Sequence, residues 1–452
     1  MTIKPKQKAM QIKGKQKRIR LPFVILLVLS LAGLQAQEPL SLMDAIELGL
    51  ENNYQIRIAE QQLEIAKNNN TWGAAGGWPA ISVGLNQRNR YDDQPGTFGD
   101  TLRQKFFTNS LMPYVNARWT LFRGLGVQMT KQQLALLERF TEGNSTVVVE
   151  NAIQGIILAY YDVLLQREKL DVLGVVKKLS GDRYQYVKYK QELGGAVTYD
   201  VLQANNSFLS DSTNYLLQEL NVRNSNLVLK LLLGVPPESE FELTDEFEVV
   251  TYDYELDSLV ATMLENNTTI RNQYVNQEIL RKDISIAKSN IWPTLAMDAG
   301  FDHFNNRLQF VDESTTYTNN LDFYVNFSLN FNLSNGGNTR RAIQNARISE
   351  QIGELEIRDL ERSLQNLMVN AYELYNIRKQ LYKVAVSNLE SNELNLEIST
   401  EKFRAGAINS FNFRDVQLQY LNAAFNRLEA IYNLLDTQTE LVRLTGGIIS
   451  EY

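Results

Sequence analysis

The sequence predicts a mostly α-helical protein with a small two-faced β part, built from a unit that occurs twice. Three observations indicate this class. Long stretches carry apolar residues at steps of three and four, which is typical of helices packed along a neighbour. Four short stretches alternate apolar and polar residues, which is the period of a strand. The order helix, strand, strand, helix then recurs within the 452 residues.

The N-terminus predicts a signal peptide over residues 1–36. Eight Lys and Arg residues and no acid lie in residues 1–20, an apolar run follows from Leu21, and Ala36 suits cleavage. The run is short for a bilayer span, although a signal anchor that stays in the membrane is the alternative. Cleavage removes eight of 45 basic residues and none of 52 acidic ones, so the mature chain carries a net charge of −15.

Composition excludes several classes of function. An acidic chain without a basic stretch argues against nucleic acid as a partner. The absence of Cys excludes disulfides, thiolate metal sites and Cys nucleophiles, and the single His303 leaves no His-based metal cluster or Ser/His/Asp triad. No phosphate-binding loop motif occurs either. We therefore expect an exported protein that is not an enzyme and holds no cofactor or metal.

Internal repetition organises the whole mature chain. Glu51-Asn52-Asn53 returns as Glu265-Asn266-Asn267 at an offset of 214 residues. Further matched pairs, at offsets of 214 and 212, are Trp78-Pro79 with Trp292-Pro293 and Gly194 with Gly406. The chain is therefore divided into repeat 1 (37–233), an inter-repeat segment (234–255), repeat 2 (256–446) and a tail (447–452).

Each repeat begins with a helix of about 30 residues, which we expect at about 41–75 and 255–290. A Trp-Pro pair ends it, since Pro cannot donate a helical hydrogen bond and holds its predecessor extended. After the strands comes a much longer helix, at about 125–192 and 338–403. A helix of roughly 65 residues reaches about 100 Å, so it has to pack along neighbouring helices instead of inside a globule.

The strands are expected at about 79–88, 113–122, 293–304 and 321–333. In the last of them one face is apolar, with Phe323, Val325, Phe327, Leu329 and Phe331, while the other carries Tyr, Asn and Ser. Such lengths and faces suit strands that cross a bilayer between lipid and a wet lumen.

Three tryptophans support the membrane placement. Trp78, Trp119 and Trp292 lie at or near strand ends, where aromatic belts form. We find no helical stretch of about 20 apolar residues after the signal peptide, so a membrane-embedded part is expected to be β. A small soluble sheet that caps a helical bundle is the alternative. Four strands cannot close a barrel in lipid, so oligomerisation is required, although spacing does not give the number of copies.

The duplicated order, the LSLMDAIELGLENN opening, the Trp-Pro transitions and the segments LGGAVTYDVLQA and RAGAINSFNFRDVQ resemble the TolC-like outer-membrane efflux proteins. The resemblance covers nearly all of the mature chain. It implies a homotrimer with a 12-stranded transmembrane β-barrel, four strands per chain, joined to a trimeric α-helical barrel, a coiled-coil tunnel. It places the protein in the outer membrane of a Gram-negative bacterium, in contact with its lipid and extending into the periplasm. The segment 234–255 resembles the family's equatorial belt.

The breaks after the long helices are expected to turn the chain back into a second helix. The turns fall at about 193–198 and 404–410, with Gly194, Gly195 and Gly406 as turn residues. Thr198 and Ser410 are expected to cap the return helices. By resemblance, these turns form the periplasmic tip and contact a periplasmic adaptor protein.

By resemblance, acidic residues at the tip project into the pore. Asp200 matches the tip acid of repeat 1, whereas repeat 2 has Asn412 and Asp415 where the family often has two acids. Three copies of Asp415 around an axis would attract cations. The Tyr and Arg of the family's closed-state lock are replaced by Phe403 and Ile408, so we do not transfer the lock.

The sequence therefore predicts a passive exit duct of a tripartite efflux or type I secretion system. It would carry small molecules or proteins from an inner-membrane transporter across the periplasm and the outer membrane. The alternative is a periplasmic or surface coiled-coil structural protein without transport activity. A periplasmic adaptor is disfavoured because the chain lacks Gly-rich β-sandwich modules.

Overall fold

The computed structural model describes residues 38–95, 103–311 and 315–451, so the predicted signal peptide lies outside the described residues. The helices are α1 Leu42–Asn52, α2 Tyr54–Asn69, α3 Gly126–Glu192, α4 Thr198–Leu233, α5 Leu256–Asn266, α6 Thr268–Ser289, α7 Asn338–Arg404, α8 Ser410–Leu444 and α9 Ile448–Glu451. The strands are β1 Glu38–Leu40, β2 Ala80–Pro95, β3 Arg103–Arg123, β4 Phe241–Leu243, β5 Thr294–Phe310 and β6 Thr315–Asn330.

The longest elements are α3 and α7, which contain 67 residues each and therefore extend for about 100 Å. Each turns back into a return helix, so that α3 packs on α4 and α7 on α8. The two hairpins join because α3 also packs against α8, while α6 lies between α3 and α7 nearer the sheet. A rod of this length buries its apolar stripe only against neighbouring helices, and the return helices and α6 supply part of that cover.

Where the sequence predicts one first helix per repeat, the structure has two, separated by a single Asn. Asn53 ends α1 and caps α2, and its side-chain oxygen accepts hydrogen bonds from the N–H groups of Gln55 and Ile56. Asn267 does the same between α5 and α6. An Asn side chain that takes the first free N–H groups favours a helix start at that point over continuation.

Both Asn side chains also bind the end of a return helix. The Asn53 amide donates to the carbonyl of Leu232 at 2.7 Å, and the Asn267 amide donates to that of Leu444 at 3.0 Å. Each return helix is followed by a Gly in the left-handed conformation, which is Gly234 in repeat 1. This Gly packs against the backbone of the Asn that precedes the capping Asn by one residue. A Cβ on Gly234 would lie 2.4 Å from the carbonyl oxygen of Asn52, so only Gly permits this approach.

The inter-repeat segment is held against both long helices by buried tyrosines. The Tyr160 hydroxyl on α3 lies 2.8 Å from the carbonyl of Leu40 and 2.5 Å from the Asp245 carboxylate. On α7, the Tyr375 hydroxyl accepts from the N–H of Tyr252 and donates to its carbonyl, both at 2.9 Å. A short parallel pairing of β1 with β4 completes this layer around the middle of the rods.

Beyond this layer lies an antiparallel sheet in the order β2, β3, β5, β6. Its strands contain 16, 21, 17 and 16 residues, so they are longer than the sequence predicts and extend past the apolar zone as polar hairpins. The register shifts between Thr120 and Phe122, which leaves Leu121 as a bulge at the helix-proximal end of β3. Within the described residues, β2 and β6 each have one edge without a partner strand.

One helix differs from the expectation that no helical stretch after the signal peptide is apolar enough to span a membrane. Within the described part of the chain, α3 alone contains a window of 18 residues that is long and apolar enough to cross a membrane. Of that window, 44% is buried inside the protein. Ile153, Ile156 and Tyr160 of α3 belong to the largest core cluster, which explains its apolar composition.

Replacing Asn53 or Asn267 by Ala should destabilise the junction between the first helices and the return helices. Each change removes a helix cap and a bond to a buried carbonyl, for a loss of about 2 kcal/mol in the free energy of unfolding. Thermal unfolding of the detergent-solubilised protein measures it. Asn266→Ala is the matched control, since Asn266 is exposed and its side chain makes no hydrogen bond in the described part of the chain. Equal shifts in all three variants would contradict the role of the two Asn side chains.

Candidate functional site

The cross-strand register places the apolar residues of all four strands on one face of the sheet. One row joins Val83, Val115, Phe301 and Phe323, and the rings of Phe301 and Phe323 stack at 5.6 Å. These side chains face outward: Val83 is 79% exposed and Phe323 is 75% exposed. A soluble protein rarely leaves such a continuous apolar surface in water.

The length of the apolar stretch suits a strand that crosses a bilayer. Along the β5–β6 hairpin it runs from the row of Leu295 and Leu329 to the row of His303 and Leu321. The nine residues of each strand extend for about 26 Å along the strand, and nine to eleven residues are what a tilted strand needs to cross the hydrocarbon core. Phe331 is a correction to the strand assignment, because β6 ends at Asn330 and the exposed Phe331 follows it.

The opposite face is polar and internally hydrogen-bonded. The Asn116 amide donates to the Asp298 carboxylate at 3.0 Å and lies 3.1 Å from the Tyr324 hydroxyl. Arg118 donates to the second oxygen of Asp298 at 3.3 Å. These bonds link β3, β5 and β6, so the polar face holds the strands in register as well as suiting a water-filled interior.

Two Gly residues on the polar face accommodate Tyr rings from the neighbouring strand. Gly84 pairs with Tyr114, and Gly300 pairs with Tyr324. A Cβ on Gly84 would lie 2.4 Å from the Tyr114 ring, and one on Gly300 would lie 2.7 Å from the Tyr324 hydroxyl. The Tyr side chains therefore lie flat over the Gly backbone, an arrangement that compensates for missing side chains in sheets.

The three tryptophans gather at the end of the sheet where strands meet helices. Trp78 and Trp292 precede β2 and β5, and both are more than half exposed. Trp119 lies four residues before the end of β3 and donates through Nε1 to the carbonyl of Gly77 at 3.0 Å. An indole with an apolar ring and a satisfied N–H suits a lipid–water boundary.

At the repeat 1 tip, Gly194 has a φ of +79° and the N–H of Gly195 donates to the carbonyl of Lys190 at 2.8 Å. The prediction that Thr198 caps α4 is wrong. The cap position belongs to Val197, and Thr198 is the first helical residue, whose hydroxyl accepts from Gln191 at 3.0 Å. Because Val has no side-chain acceptor, the Asp200 carboxylate supports this end and accepts from the N–H of Val197 at 3.4 Å.

The repeat 2 tip turns at Gly406, which has a φ of +74°. Here too the predicted cap is wrong, because Ser410 is the first residue of α8 and Asn409 is its cap. The Asn409 side chain accepts from the N–H of Asn412 at 2.8 Å, a geometry that Asn reaches as readily as Ser. Asp415 lies one turn further on, is exposed and accepts from Gln419 at 2.6 Å.

The two tips lie side by side. The rings of Tyr199 and Phe411 stack at 6.2 Å, so the first turns of α4 and α8 touch. Phe403 is buried and stacks on Phe413 at 4.6 Å with the ring of Tyr186 against it at 5.1 Å. The two hairpins are therefore joined here by ring packing, since the Phe403 side chain has no hydroxyl group that could donate a hydrogen bond.

A buried ionic cluster, which the sequence reasoning missed, ties the hairpins together above the tip. Arg414 on α8 donates two bonds to the carboxylate of Asp211 on α4, at 2.6 and 2.7 Å. Arg183 on α3 donates to the carbonyl of Ser410 at 3.1 Å, while its Nε and Nη2 have no partner among the described residues. Arg183 is 2% exposed and Asp211 is 1% exposed.

This cluster buries two cations beside one anion. Burial lowers the pKa of Arg183 to about 10; the nearby charge of Arg414 acts in the same direction, and Asp211 opposes it. A helical pattern signals the cluster, because Arg183 continues the buried stripe of Val176, Ser180 and Val187 on α3. A charged residue at a core position of an amphipathic helix is the feature that could have revealed it.

No group of three or more acidic or His residues in the described ranges could hold a metal ion. The site combines a two-faced sheet, tryptophans at the end of the sheet next to the helices, and paired helical hairpins that reach about 100 Å away from it. These features define the class of protein as a membrane channel with a helical extension.

Comparisons with known proteins agree with this class. Residues 259–447 match the family described as outer membrane efflux protein. The chain is 26% identical over 310 residues to outer membrane protein TolC of Vibrio cholerae, which covers 66% of this chain and 69% of TolC. The predicted resemblance to the TolC-like outer-membrane efflux proteins is confirmed, and with it the location in the outer membrane.

Solved structures share the fold. The outer-membrane channel CmeC of Campylobacter jejuni gives a TM-score of 0.72 at 15% identity, over 90% of this chain and 85% of CmeC. The outer membrane protein VceC of Vibrio cholerae gives 0.71 at 14% identity, over 90% of this chain and 96% of VceC. The outer-membrane channel OprN gives 0.72 at 15% identity, over 90% of both chains.

The buried ionic cluster predicts different changes in local stability when its anion or one of its cations is removed. Asp211→Asn leaves two buried cations without an anion, so the local free energy of opening should fall by about 3–5 kcal/mol. Arg183→Met leaves the neutral pair of Arg414 and Asp211, so the loss should be near zero or become a gain. Hydrogen exchange of the first half of α8 measures both. Arg404→Met, which removes an exposed pair with Glu401, should change exchange by less than about 1 kcal/mol. A larger loss for Arg183→Met than for Asp211→Asn would contradict the charge balance.

Proposed function

We propose that this protein is a passive outer-membrane exit duct, which assembles as a homotrimer with a 12-stranded barrel and a periplasmic helical tunnel. The observation that carries the proposal is the four-stranded sheet with an apolar outer face, a polar inner face and two unpaired edges. In lipid, unpaired backbone N–H and C=O groups cost several kcal/mol each, so β2 of one copy has to pair with β6 of another.

Three copies give 12 strands, a number within the range of transmembrane barrels. The resemblance to TolC-like proteins supports the number three. The helical hairpins of the same copies would pack side by side, because α4 and α7 keep apolar side chains exposed on the isolated chain, such as Leu216, Leu227, Leu374 and Leu381. Both the sheet and the helical hairpins therefore require further copies of the chain as partners.

The duct would belong to a tripartite efflux or type I secretion system. The Gly194 and Gly406 tips would meet a periplasmic adaptor, and an inner-membrane transporter would supply the energy. Small molecules or proteins would pass along the polar interior. The similarity to outer membrane efflux proteins supports this assignment, as do the channels named above, none of which is described as an enzyme.

The alternative is a coiled-coil structural protein with a small soluble sheet. It accounts for the rods but gives no reason for an exposed apolar face that extends for about 26 Å along the strands. The exposed Trp78 and Trp292 at one end of that face are also unexplained by it. The membrane assignment accounts for both features.

Adjacent residues on opposite faces of β6 test the membrane assignment. Val325→Arg places a charge in the central apolar row, at a cost of about 2–4 kcal/mol at the bilayer midplane, so folded barrel in the outer membrane should fall sharply. Asn326→Arg points the same charge into the lumen and should assemble at the wild-type level. Outer-membrane fractionation with heat-modifiable migration on gels reports both. Equal assembly of the two variants would mean that the face of β6 that carries Val325 is not in contact with lipid.

Asp415 tests the pore assignment. In a trimer three copies of this exposed carboxylate would face one another near the narrow end, so Asp415→Asn should reduce cation selectivity and blockade by divalent cations severalfold in planar bilayers. Glu390→Gln, which removes another exposed charge from the helical part, should leave both unchanged. Unchanged selectivity in Asp415→Asn would remove this residue from the pore.

A further inference from the structure

The two repeats follow one plan so closely that residue numbers translate from one to the other. Adding 214 to a residue of β2 and 212 to a residue of β3 gives the equivalent residues of β5 and β6. The pair of Val83 with Val115 becomes Met297 with Phe327, and the structure pairs those two residues across β5 and β6. The long helices agree, since α3 and α7 contain 67 residues each and begin 212 positions apart.

Inside the chain, repeat 2 covers one side of repeat 1. Between the inter-repeat segment and the tips, α3 packs against both α4 and α8, and α8 also packs against α7. The helices therefore lie in the order α4, α3, α8, α7, with α4 and α7 at the two outer edges. The joint of α3 with α8 is where the two repeats meet, and its equivalent is the joint that α7 would form with an α4 from another chain.

Equivalent apolar positions differ in exposure as this order predicts. Leu165 on α3 is 5% exposed and Leu428 on α8 is 3% exposed, and both belong to the largest core cluster. Their equivalents are Ile377 on α7, which is 55% exposed, and Leu216 on α4, which is 61% exposed. Both outer edges thus carry apolar side chains at positions that the second repeat covers inside the chain.

An ion pair at the internal joint corresponds to two leucines on the outer edges. The Lys169 ammonium on α3 donates to the Glu429 carboxylate on α8 at 2.9 Å. Their equivalents are Leu381 on α7 and Leu217 on α4, which are both more than half exposed. Opposite charges form a complementary pair and so do two leucines, whereas Lys against Leu does not. Replacement of both members together is what a preserved contact predicts.

A second copy of the chain is the occupant that these edges fit. The internal edge of α3 is covered by a unit of the same plan, and another copy presents that unit to α7 through its own α4. Each copy then uses its α7 edge on one side and its α4 edge on the other. A head-to-tail contact of this kind closes into a ring when the rotation between copies allows it.

We propose that each copy joins the next in the register that joins repeat 1 to repeat 2, so that Leu381 packs on Leu217 of the partner subunit. In the sheet, the internal pair of Ala117 with Ala299 translates into Leu329 opposite Leu85 of the partner subunit. The inference rests on the proposed function, which supplies the neighbouring copies, and it names the residues that meet. The same register then continues from the barrel into the helical hairpins.

Paired Cys substitutions report these contacts directly, because the chain has no Cys of its own. With a short bifunctional thiol reagent, Leu217→Cys with Leu381→Cys should give covalent dimers and trimers of the detergent-solubilised protein on denaturing gels. Leu85→Cys with Leu329→Cys should do the same in the sheet. Leu209→Cys with Leu381→Cys is the matched control and should stay monomeric on the gel. Leu209 is similarly exposed on α4 but lies about 12 Å along the helix from Leu217.

An exchange of charges tests the same register in a second way. Leu381→Lys alone or Leu217→Glu alone removes a leucine from each joint and should weaken association about tenfold or more. The double variant Leu217→Glu with Leu381→Lys carries the charges of Lys169 and Glu429, so its loss should be several-fold smaller than the product of the single losses. Leu209→Glu with Leu381→Lys should show no such recovery. Sedimentation in detergent over a concentration series measures association.

Three results would overturn the proposed register: a cross-link of Leu381→Cys with Leu209→Cys instead of Leu217→Cys, a cross-link within one chain, or single losses that multiply in the double variant. The Cys variants keep the test open if the charged variants fail to fold. A wild-type protein that is oligomeric and conducts in planar bilayers, but whose Leu217→Cys, Leu381→Cys variant does not cross-link, would refute the register alone. A wild-type monomer in detergent would refute the oligomeric duct together with it.

Discussion

The unpaired edges of β2 and β6 are the constraint on which the rest of the structure depends. Water satisfies such edges in a soluble sheet, but lipid offers no hydrogen-bond partner, so the edges have to be paired wherever the apolar face is in the membrane. One chain supplies four strands and cannot close them into a ring. The oligomerisation proposed above would thus be a consequence of backbone chemistry.

Because the sequence unit is duplicated, the same helix junction occurs twice in one chain. Asn53 and Asn267 each end one helix, start the next and bind the last turn of a return helix. The buried hydroxyls of Tyr160 and Tyr375 then hold the inter-repeat segment against α3 and α7. These polar anchors lie near the middle of the rods. Above and below them further hydrogen bonds join the helices, such as that of Asn272 with Asn144 and that of Gln218 with Gln166.

At the tips the two hairpins are joined by ring packing, in which Phe403 stacks on Phe413 and contacts the ring of Tyr186. The strong polar contact between the hairpins lies deeper, where Arg414 binds Asp211 and Arg183 remains partly unsatisfied. An excess buried cation makes this joint costly, so its charge balance sets how firmly α8 is held to the first hairpin.

Periodicity and duplication in the sequence determined the long helices, the two-faced strands and the turns at Gly194 and Gly406, because these features depend on local spacing and on glycine's access to positive φ. Tertiary structure decided the rest. The break at Asn53 depends on the carbonyl of Leu232, 179 residues away. The helix caps are Val197 and Asn409, one residue before the predicted positions, because the turn geometry determines where helical hydrogen bonding resumes. The pairing of Arg414 with Asp211 joins residues 203 positions apart. Periodicity places a charged residue such as Arg183 on a buried helix face, but only the packed helices show which polar groups of other elements it meets.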